Sequence, residues 1–597
     1  MSKTFENFKC GLEIHQRLDT RKLFSHVYAN PNKEITETTI QVIRLIGKAA
    51  GESGKTDESA KFEASKKQTF TYVAGNKTSS LVEIDEEPPH ELSKQALSVV
   101  LQVAQATGAH VLPVIQVMRK TIVDGSTTSG FQRTMLVAIG GKIDTPSGPV
   151  RIQTICLEEE SCGIIEKTKG HSTYSLDRLG IPLIEIATEP DVISPKHARE
   201  TALAIGELLR ATGKVQRGIG TIRQDLNVSI QGGTRCEVKG AQDLDAIEKL
   251  VENEANRQLH LIEIRSKIKT PTKPHIENLT SIFANTNCKF IAKALATGAK
   301  LYGVKLPDMK NILGYELAPN YRVGSEISDF VKANCNDGIL HADEDLPKYS
   351  ISQQEITEVK LALQVKEHDS YILTVSNQPQ HALELALKRL NQLSHEIPAD
   401  TRRADGEISR FMRPISGAAR LYPETDCQLI KITSAELKNV KTIETLDEKI
   451  KRYEKYGLGI QLAQRMAKDA QNNLFEELSK TTDPQTVAIT LLETITTLKR
   501  SGKNTTNLNT QRLSEALNAY AHGEVNKQAL AVLLEKMCES NHSTQELIHL
   551  NNLKKFKKEE IKKAAKELNN DISKIMQKYR LNIDATLLQE AIKELKP

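Results

Sequence analysis

The segments Arg223-Gln224-Asp225-Leu226-Asn227-Val228-Ser229 and Arg235-Cys236-Glu237-Val238-Lys239 lie on either side of Gln231-Gly232-Gly233. Polar and apolar residues alternate in both with a period of two, so Leu226 and Val228 turn to one side while Asp225 and Asn227 turn to the other. Two such runs around a Gly-Gly turn predict a β-hairpin with one greasy face. Its polar face sets the carboxylates of Asp225 and Glu237 beside the cations of Arg223 and Lys239. Carboxylates hold hard cations and basic groups hold phosphate, which is the pairing that phosphoryl transfer needs. From their place on these strand faces, Arg223 and Lys239 are candidates for phosphate contact.

The same device recurs elsewhere in the first 270 residues. Gly11-Leu12-Glu13-Ile14-His15 puts Glu13 and His15 on one side of a strand, Leu157-Glu158-Glu159-Glu160 ends another, and Glu185 interrupts the apolar run Pro182-Leu183-Ile184-Glu185-Ile186. A carboxylate inside such a run is costly unless it is paired or bound to metal, which makes Glu185 the strongest single candidate. Any one acid alone reads as structural; five polar-faced segments in one region favour a site.

Short alternating runs up to about residue 270, with a helical patch from Lys196 to Ala211 and no strict βα alternation, predict an α+β fold on an antiparallel sheet. Residues 276–400 read as a separate α/β stretch, with helices near Cys288–Ala296, Glu355–Lys366 and Gln380–Gln392 and a strand at Tyr371–Val375. Between them lies the Gly/Pro-punctuated segment Gly314 to Glu326. Residues 401–445 return to the first domain. The last 150 or so residues, 446–597, read as an all-helical tail: Asp483 caps a helix with Pro484 in its first turn, and Leu462, Met466, Ala470, Leu474 and Leu478 recur every fourth residue.

With 597 residues the chain is long enough for three or four domains, and 39% hydrophobic and 26% charged residues describe an ordinary globular protein. Met1 to Glu6 has no apolar signal-type region and no stretch is long and apolar enough to span a membrane, so a cytoplasmic location is expected. Eight cysteines without a CxxC pair fit buried reduced thiols. The net charge of +5 resides wholly in the last forty-seven residues, where twelve Lys/Arg face seven Asp/Glu. Lys554-Lys555-Phe556-Lys557-Lys558 reads as a solvated helix face or as an RNA contact.

Two further segments are ambiguous. Ala49-Ala50-Gly51-Glu52-Ser53-Gly54-Lys55-Thr56 nearly fits a phosphate loop, with Gln41–Ile46 as a preceding strand, but Ser59–Gln68 lacks the apolar stripe of the helix that must follow, so the segment reads as a polar connector. Arg413 to Asp426 combines two prolines and a glycine with two arginines and two acids: a functional loop, or a strap held by salt bridges.

Gly11 to His15, Leu183-Ile184-Glu185-Ile186-Ala187-Thr188-Glu189-Pro190-Asp191, Arg223 to Asn227 and Tyr422-Pro423-Glu424-Thr425-Asp426, in that order, resemble the kinase-transamidase subunit of the Glu-tRNA(Gln) amidotransferases, the GatB/GatE family. Val117 to Thr134 and Arg413 to Asp426 are similar to its archaeal, E-type branch more than to its bacterial, B-type branch. The resemblance implies a cradle-like catalytic domain over 1–275, an insert over 276–400 shared with bacterial-type aspartyl-tRNA synthetases, and a tRNA-contacting helical tail. It implies a carbon–nitrogen ligase with glutamine as amido donor: ATP phosphorylates the γ-carboxylate of glutamate on tRNA(Gln), and ammonia from an asparaginase-like partner, the D-type subunit, displaces phosphate. A non-catalytic tRNA-binding or assembly subunit is the alternative, favoured only if metal ligands are missing.

By motif position, His15, Glu159 and Glu185 would hold one Mg²⁺, and Glu13, Asp225 and Glu237 a second near the ATP. Glu159 is aligned in preference to Glu158 because Gly163 then falls where the family motif has its glycine. Ser161 stands where an aspartate is usual. Bacterial relatives carry cysteine zinc ligands after the first motif; Leu23-Phe24-Ser25-His26-Val27-Tyr28 has none, so no zinc is expected.

Overall fold

The computed structural model describes residues 7–28, 40–45, 68–75, 77–122, 124–168, 170–415, 421–469 and 471–595. The near-phosphate-loop at Ala49–Thr56 lies outside them; its proposed preceding strand is a strand, Ile40–Arg44. The chain divides into two compact units, Met1–Ile443 and Glu444–Pro597.

The expected hairpin forms. Strand Ile222–Ser229 pairs antiparallel with Cys236–Lys239, Asn227 facing Glu237. Its turn needs glycine at 232, where φ is +76°. Around it, the described residues build a twelve-stranded sheet whose main path runs Ile408–Pro414, Asp400–Asp405, Cys236–Lys239, Ile222–Ser229, Lys9–Arg17, Pro182–Thr188, Val150–Glu159, Phe131–Ile139, Met118–Thr121 and Leu421–Pro423. Neighbours on this path are antiparallel with one exception: Cys236–Lys239 and Asp400–Asp405 run parallel. A parallel pair needs a long crossover, and here everything between Lys239 and Asp400 serves as one.

The alternation read from sequence sorts the sheet's two faces. Leu12, Ile14, Ile155, Leu157, Ile184, Ile186, Leu226 and Val228 are buried in one core with Val100, Ile205 and Leu250 from helices Lys94–Ala106, Pro195–Ala211 and Ile247–Ile264. Ser194 and Pro195 start the second of these helices, the serine accepting from the His197 N–H at 3.1 Å. With one face sealed by helices, the polar residues share the other.

The 276–400 stretch has its own antiparallel sheet, Ile276–Asn278, Lys300–Leu306, Ser370–Ser376 and Leu340–His341, with helices Lys289–Ala296, Gln353–Ala362 and Pro379–His395 close to their sequence expectations. Within the punctuated segment Glu316–Ala318 and Tyr321–Arg322 form a tight hairpin, and helix Val323–Cys335 begins directly after it. The stretch lies inside the first unit and shares a core with it: Leu261 and Ile264 before the insert and Phe411 after it pack with Ile327, Phe330 and Leu390. At this seam Glu326 is fully buried among Arg257, Arg389 and Arg402.

The second unit is helical throughout its described residues. Asp483 caps as expected, accepting from the Thr486 N–H at 2.8 Å, and the helix it starts passes through a π-turn at Thr490–Thr494 before ending at Arg500. The four-residue recurrence from Leu462 to Leu478 is split between Ile460–Lys468 and Asn472–Leu478, because the first helix stops at Asp469. No helix among the described residues is long and apolar enough to cross a membrane.

Candidate active site

Where the first-strand motif runs down the middle of the sheet, its neighbours supply the partners by register. Glu13 lies opposite Asp225 on one side and Ala187 on the other; His15 lies opposite Arg223 and Glu185. Directly opposed residues share a face. Glu13, His15, Glu185, Arg223, Asp225, Glu237 and Lys239 therefore line one cleft of about 580 Å³ on the open face, as the sequence expected.

Glu159 does not join them. Glu185 faces Cys156 in the next strand, so the face of Glu185 continues through Cys156 to Glu158, and Glu159 points to the far side. There its carboxylate accepts from the Arg133 N–H at 3.1 Å and lies 3.6 Å from the Arg133 guanidinium, which also donates to Glu424. Glu158 takes the expected place instead: His15 Nδ1 is 3.3 Å from Glu158 Oε1 and 3.7 Å from Glu185 Oε2. The alignment of Glu159 on its downstream glycine is thus corrected by strand parity. The signal was in the sequence, since Ile155 and Leu157 place Glu159 on the apolar alternation.

Two clusters of potential ion ligands occur among the described residues, His15 with Glu158 and Glu185, and Glu13 with His15 and Asp225; in each, the ligand atoms lie within 4.8 Å of one another. Glu237, expected in the second, stands beside it, accepting from the Thr401 hydroxyl at 2.8 Å. Lys239 Nζ bridges Asp225 at 2.6 Å and Glu237 at 2.5 Å. Asn227 donates to Glu13 at 3.1 Å. Arg223 reaches Glu160 at 2.7 Å while still lining the cleft. Lys120, which no sequence signal singled out, sets its Nζ 3.0 Å from Glu158 and 3.3 Å from Glu185.

These neighbours set the charge states. Burial and then the Glu185 charge push the Glu13 carboxyl above its ordinary value. Burial would raise Asp225 and Glu237 as well, but the Lys239 ammonium between them holds both low. Burial likewise opposes the ionised form of Glu158, and Lys120 and His15 overcome it, holding that carboxyl well below the usual range. For His15, burial works against the imidazolium, yet the Glu158 contact and the charges of Glu185 and Asp225 prevail and raise it.

The residues fit divalent cations on two observations. His15 Nδ1 is a buried nitrogen that faces two carboxylates, at 3.3 and 3.7 Å, and makes a well-aligned hydrogen bond to neither. Moreover, the cleft is lined by six acids, Glu13, Asp124, Glu158, Glu185, Asp225 and Glu237, against four Lys/Arg cations, Lys120, Arg223, Lys239 and Arg413, and one imidazole, His15, so the acids stay in excess by one even with His15 protonated. A surplus of buried negative charge calls for cations.

One wall is the Asp124–Ser126 loop. Tyr72 OH donates to the Gly125 carbonyl at 2.7 Å and the Thr127 carbonyl at 3.0 Å, and Tyr174 OH donates to the Asp124 carbonyl at 3.0 Å. Gly125 has φ +82°, and a Cβ there would lie 2.1 Å from the Phe70 ring. The Arg413–Asp426 segment is split in role: Arg413 lines the cleft, whereas Glu424 is a buried strap residue held by Arg119 and Arg133. Residues 416–420 of that segment are outside the described set.

The sheet with its acidic cleft and the helical unit after it each fall within a known family. The GatB/GatE catalytic domain matches residues 8–438 and a GatB domain matches residues 473–588, so the chain belongs to the GatB/GatE family. It is similar to archaeal proteins named as the E-type subunit of glutamyl-tRNA(Gln) amidotransferase: 40% identical over 572 residues to that of Methanocaldococcus jannaschii, covering 93% of this chain and 90% of the relative. The Pyrococcus furiosus protein is 39% identical over 578 residues (94% and 91%), and that of Methanopyrus kandleri 40% over 550 (88% and 85%). The expected likeness to the archaeal branch is met.

Proposed function

We propose that this chain is the ATP-dependent subunit of a tRNA-linked amidotransferase, converting Glu-tRNA(Gln) to Gln-tRNA(Gln) through a γ-phosphorylated glutamyl ester. The observation that carries this reading is the acid surplus around His15, Glu13, Glu158, Glu185 and Asp225, which repels a nucleotide polyphosphate or a glutamate carboxylate unless cations intervene. His15, Glu158 and Glu185 would hold one Mg²⁺, and Glu13 and Asp225, with Glu237 beside them, a second. Bound there, the ions offset the charge between phosphates and carboxylate and polarise the phosphoryl group.

The remaining work belongs to the chain's own groups. Lys239 keeps Asp225 and Glu237 ionised and ready as ligands, and with Arg223 it presents cationic charge to phosphate oxygens. A carboxylate is a poor electrophile; its phosphorylation supplies a leaving group that ammonia displaces, forming the carbon–nitrogen bond. On this reading the ammonia comes from an asparaginase-like partner, the D-type subunit, and the stretch from 276 to 400 is the module shared with bacterial-type aspartyl-tRNA synthetases. The helical unit contacts tRNA(Gln), with Lys554, Lys557 and Lys563 exposed and free of ion pairs among the described residues, while Lys555, Lys558 and Lys562 are paired to acids.

The test supplies the purified chain with Glu-tRNA(Gln), ATP, Mg²⁺ and ammonium salt and scores the esterified amino acid. Glutamine formed without any partner is the expected result. If tRNA binds and no glutamine appears, the chain is a binding protein and the catalytic reading falls.

A further inference from the structure

Lys120 sits where the cleft's ion ligands converge. Its Nζ is within 3.0 Å of Glu158 and 3.3 Å of Glu185, the two carboxylates that flank His15 Nδ1. Glu158 is almost completely enclosed, its side chain only 2% exposed, so it needs a positive partner at all times. The Lys120 side chain is more open at 21%, and lysine carries its charge on a flexible four-carbon stem. The strand beneath it, Met118–Thr121, is paired on both sides, to Phe131–Ile139 and to Leu421–Pro423. The backbone is therefore fixed, so any exchange of partner at Glu158 and Glu185 takes place in the side chain.

We infer that Lys120 is a resident counter-ion which a divalent cation replaces on Glu158 and Glu185, and that its displaced ammonium then turns into the cleft to meet the anionic substrate. This rests on the metal-dependent reading above. The ligand atoms of His15, Glu158 and Glu185 span no more than 4.8 Å, so an ion bound among them and an ammonium bridging the same two carboxylates would occupy the same space with like charge. The two states are exclusive. Without the ion, Lys120 is the cation that Glu158 and Glu185 share. With the ion, Glu158 has a new partner and one cation is released into the cleft that Lys120 lines. No covalent bond changes in the exchange, and ion arrival and delivery of a lysine to the substrate become one event.

The experiment measures Mn²⁺ binding to the full chain, without nucleotide or tRNA, from the electron paramagnetic resonance of free Mn²⁺, in wild type, Lys120→Met and Lys120→Arg, alongside ATP-dependent turnover. Removing a competing cation should tighten Mn²⁺ binding in Lys120→Met by fivefold or more, while turnover falls at least tenfold. Lys120→Arg, which keeps the charge, should stay within about threefold of wild type in Mn²⁺ affinity. Equal or weaker Mn²⁺ binding in Lys120→Met overturns the exchange, since a merely structural lysine would loosen the site when removed. Tighter binding with unchanged turnover overturns delivery to the substrate. If neither wild type nor Lys120→Met binds Mn²⁺, the metal-dependent reading itself has failed, and the inference with it.

Discussion

Exchanging Glu158 or Glu159 for glutamine separates two adjacent acids that differ only in strand parity. Glu158 shares a face with His15 and Glu185; Glu159 is committed to Arg133 on the opposite face. Two unit charges 4 Å apart interact by about 4 kcal/mol at an effective dielectric near 20, and more with a dication. Water and side-chain relaxation take back a large part, so Glu158→Gln should weaken Mg²⁺ binding by about 3 kcal/mol, roughly two orders of magnitude. In Glu159→Gln the amide carbonyl still accepts the Arg133 N–H and Arg133 keeps Glu424 at 2.9 Å, so the loss is about 1–2 kcal/mol of stability, with Mg²⁺ affinity changed less than about threefold. Isothermal titration with Mg²⁺ reads the first effect and urea unfolding the second. Loss of Mg²⁺ binding in Glu159→Gln with binding intact in Glu158→Gln would refute the parity argument.

Glu326→Gln leaves Arg257, Arg389 and Arg402 buried with one fewer carboxylate, and urea unfolding of the first unit should show a loss of about 3 kcal/mol or more; an unchanged midpoint would mean the seam is not stabilised by this network. Burial would raise Glu254 and Glu326, but the arginines, Arg257 first for Glu254 and Arg402 first for Glu326, hold them low, Glu254 at about 2. Depressed carboxylates stabilise the fold above their unfolded value near 4.5, so stability should stay flat down to about pH 4.5 and fall steeply from there toward pH 2. Glu326→Gln should flatten that fall, read by thermal melting across the range. Gly125→Ala forces a Cβ against Phe70 at positive φ and should cost about 1–3 kcal/mol, with turnover reduced through the displaced loop; retained melting temperature and turnover would count against the loop's rigidity. Neutralising Lys554, Lys557 and Lys563 together should lower the slope of log tRNA affinity against log salt by roughly two to three, whereas an unchanged slope would place tRNA elsewhere.

Read alone, the chain determined the strands of its polar-faced segments, the turn at Gly232, the helix cap at Asp483, and the face on which Glu13, His15, Glu185, Asp225, Glu237, Arg223 and Lys239 stand. These follow from alternation, capping and turn chemistry, which act between residues a few positions apart. Glu158 was legible by the same rule, through Ile155 and Leu157, and was obscured by aligning on a glycine instead. Lys120 was not legible: Arg119, Lys120 and Thr121 carry no apolar alternation, and only the pairing of Lys120 with Gln132 and the closure of strands more than thirty residues apart bring its ammonium to Glu158 and Glu185. The shared core across the insert is of the same kind, because Phe411 reaches Phe330 only after the chain has completed its crossover from Lys239 to Asp400. Local periodicity decides which way a side chain points; strand register and long-range packing decide what it meets.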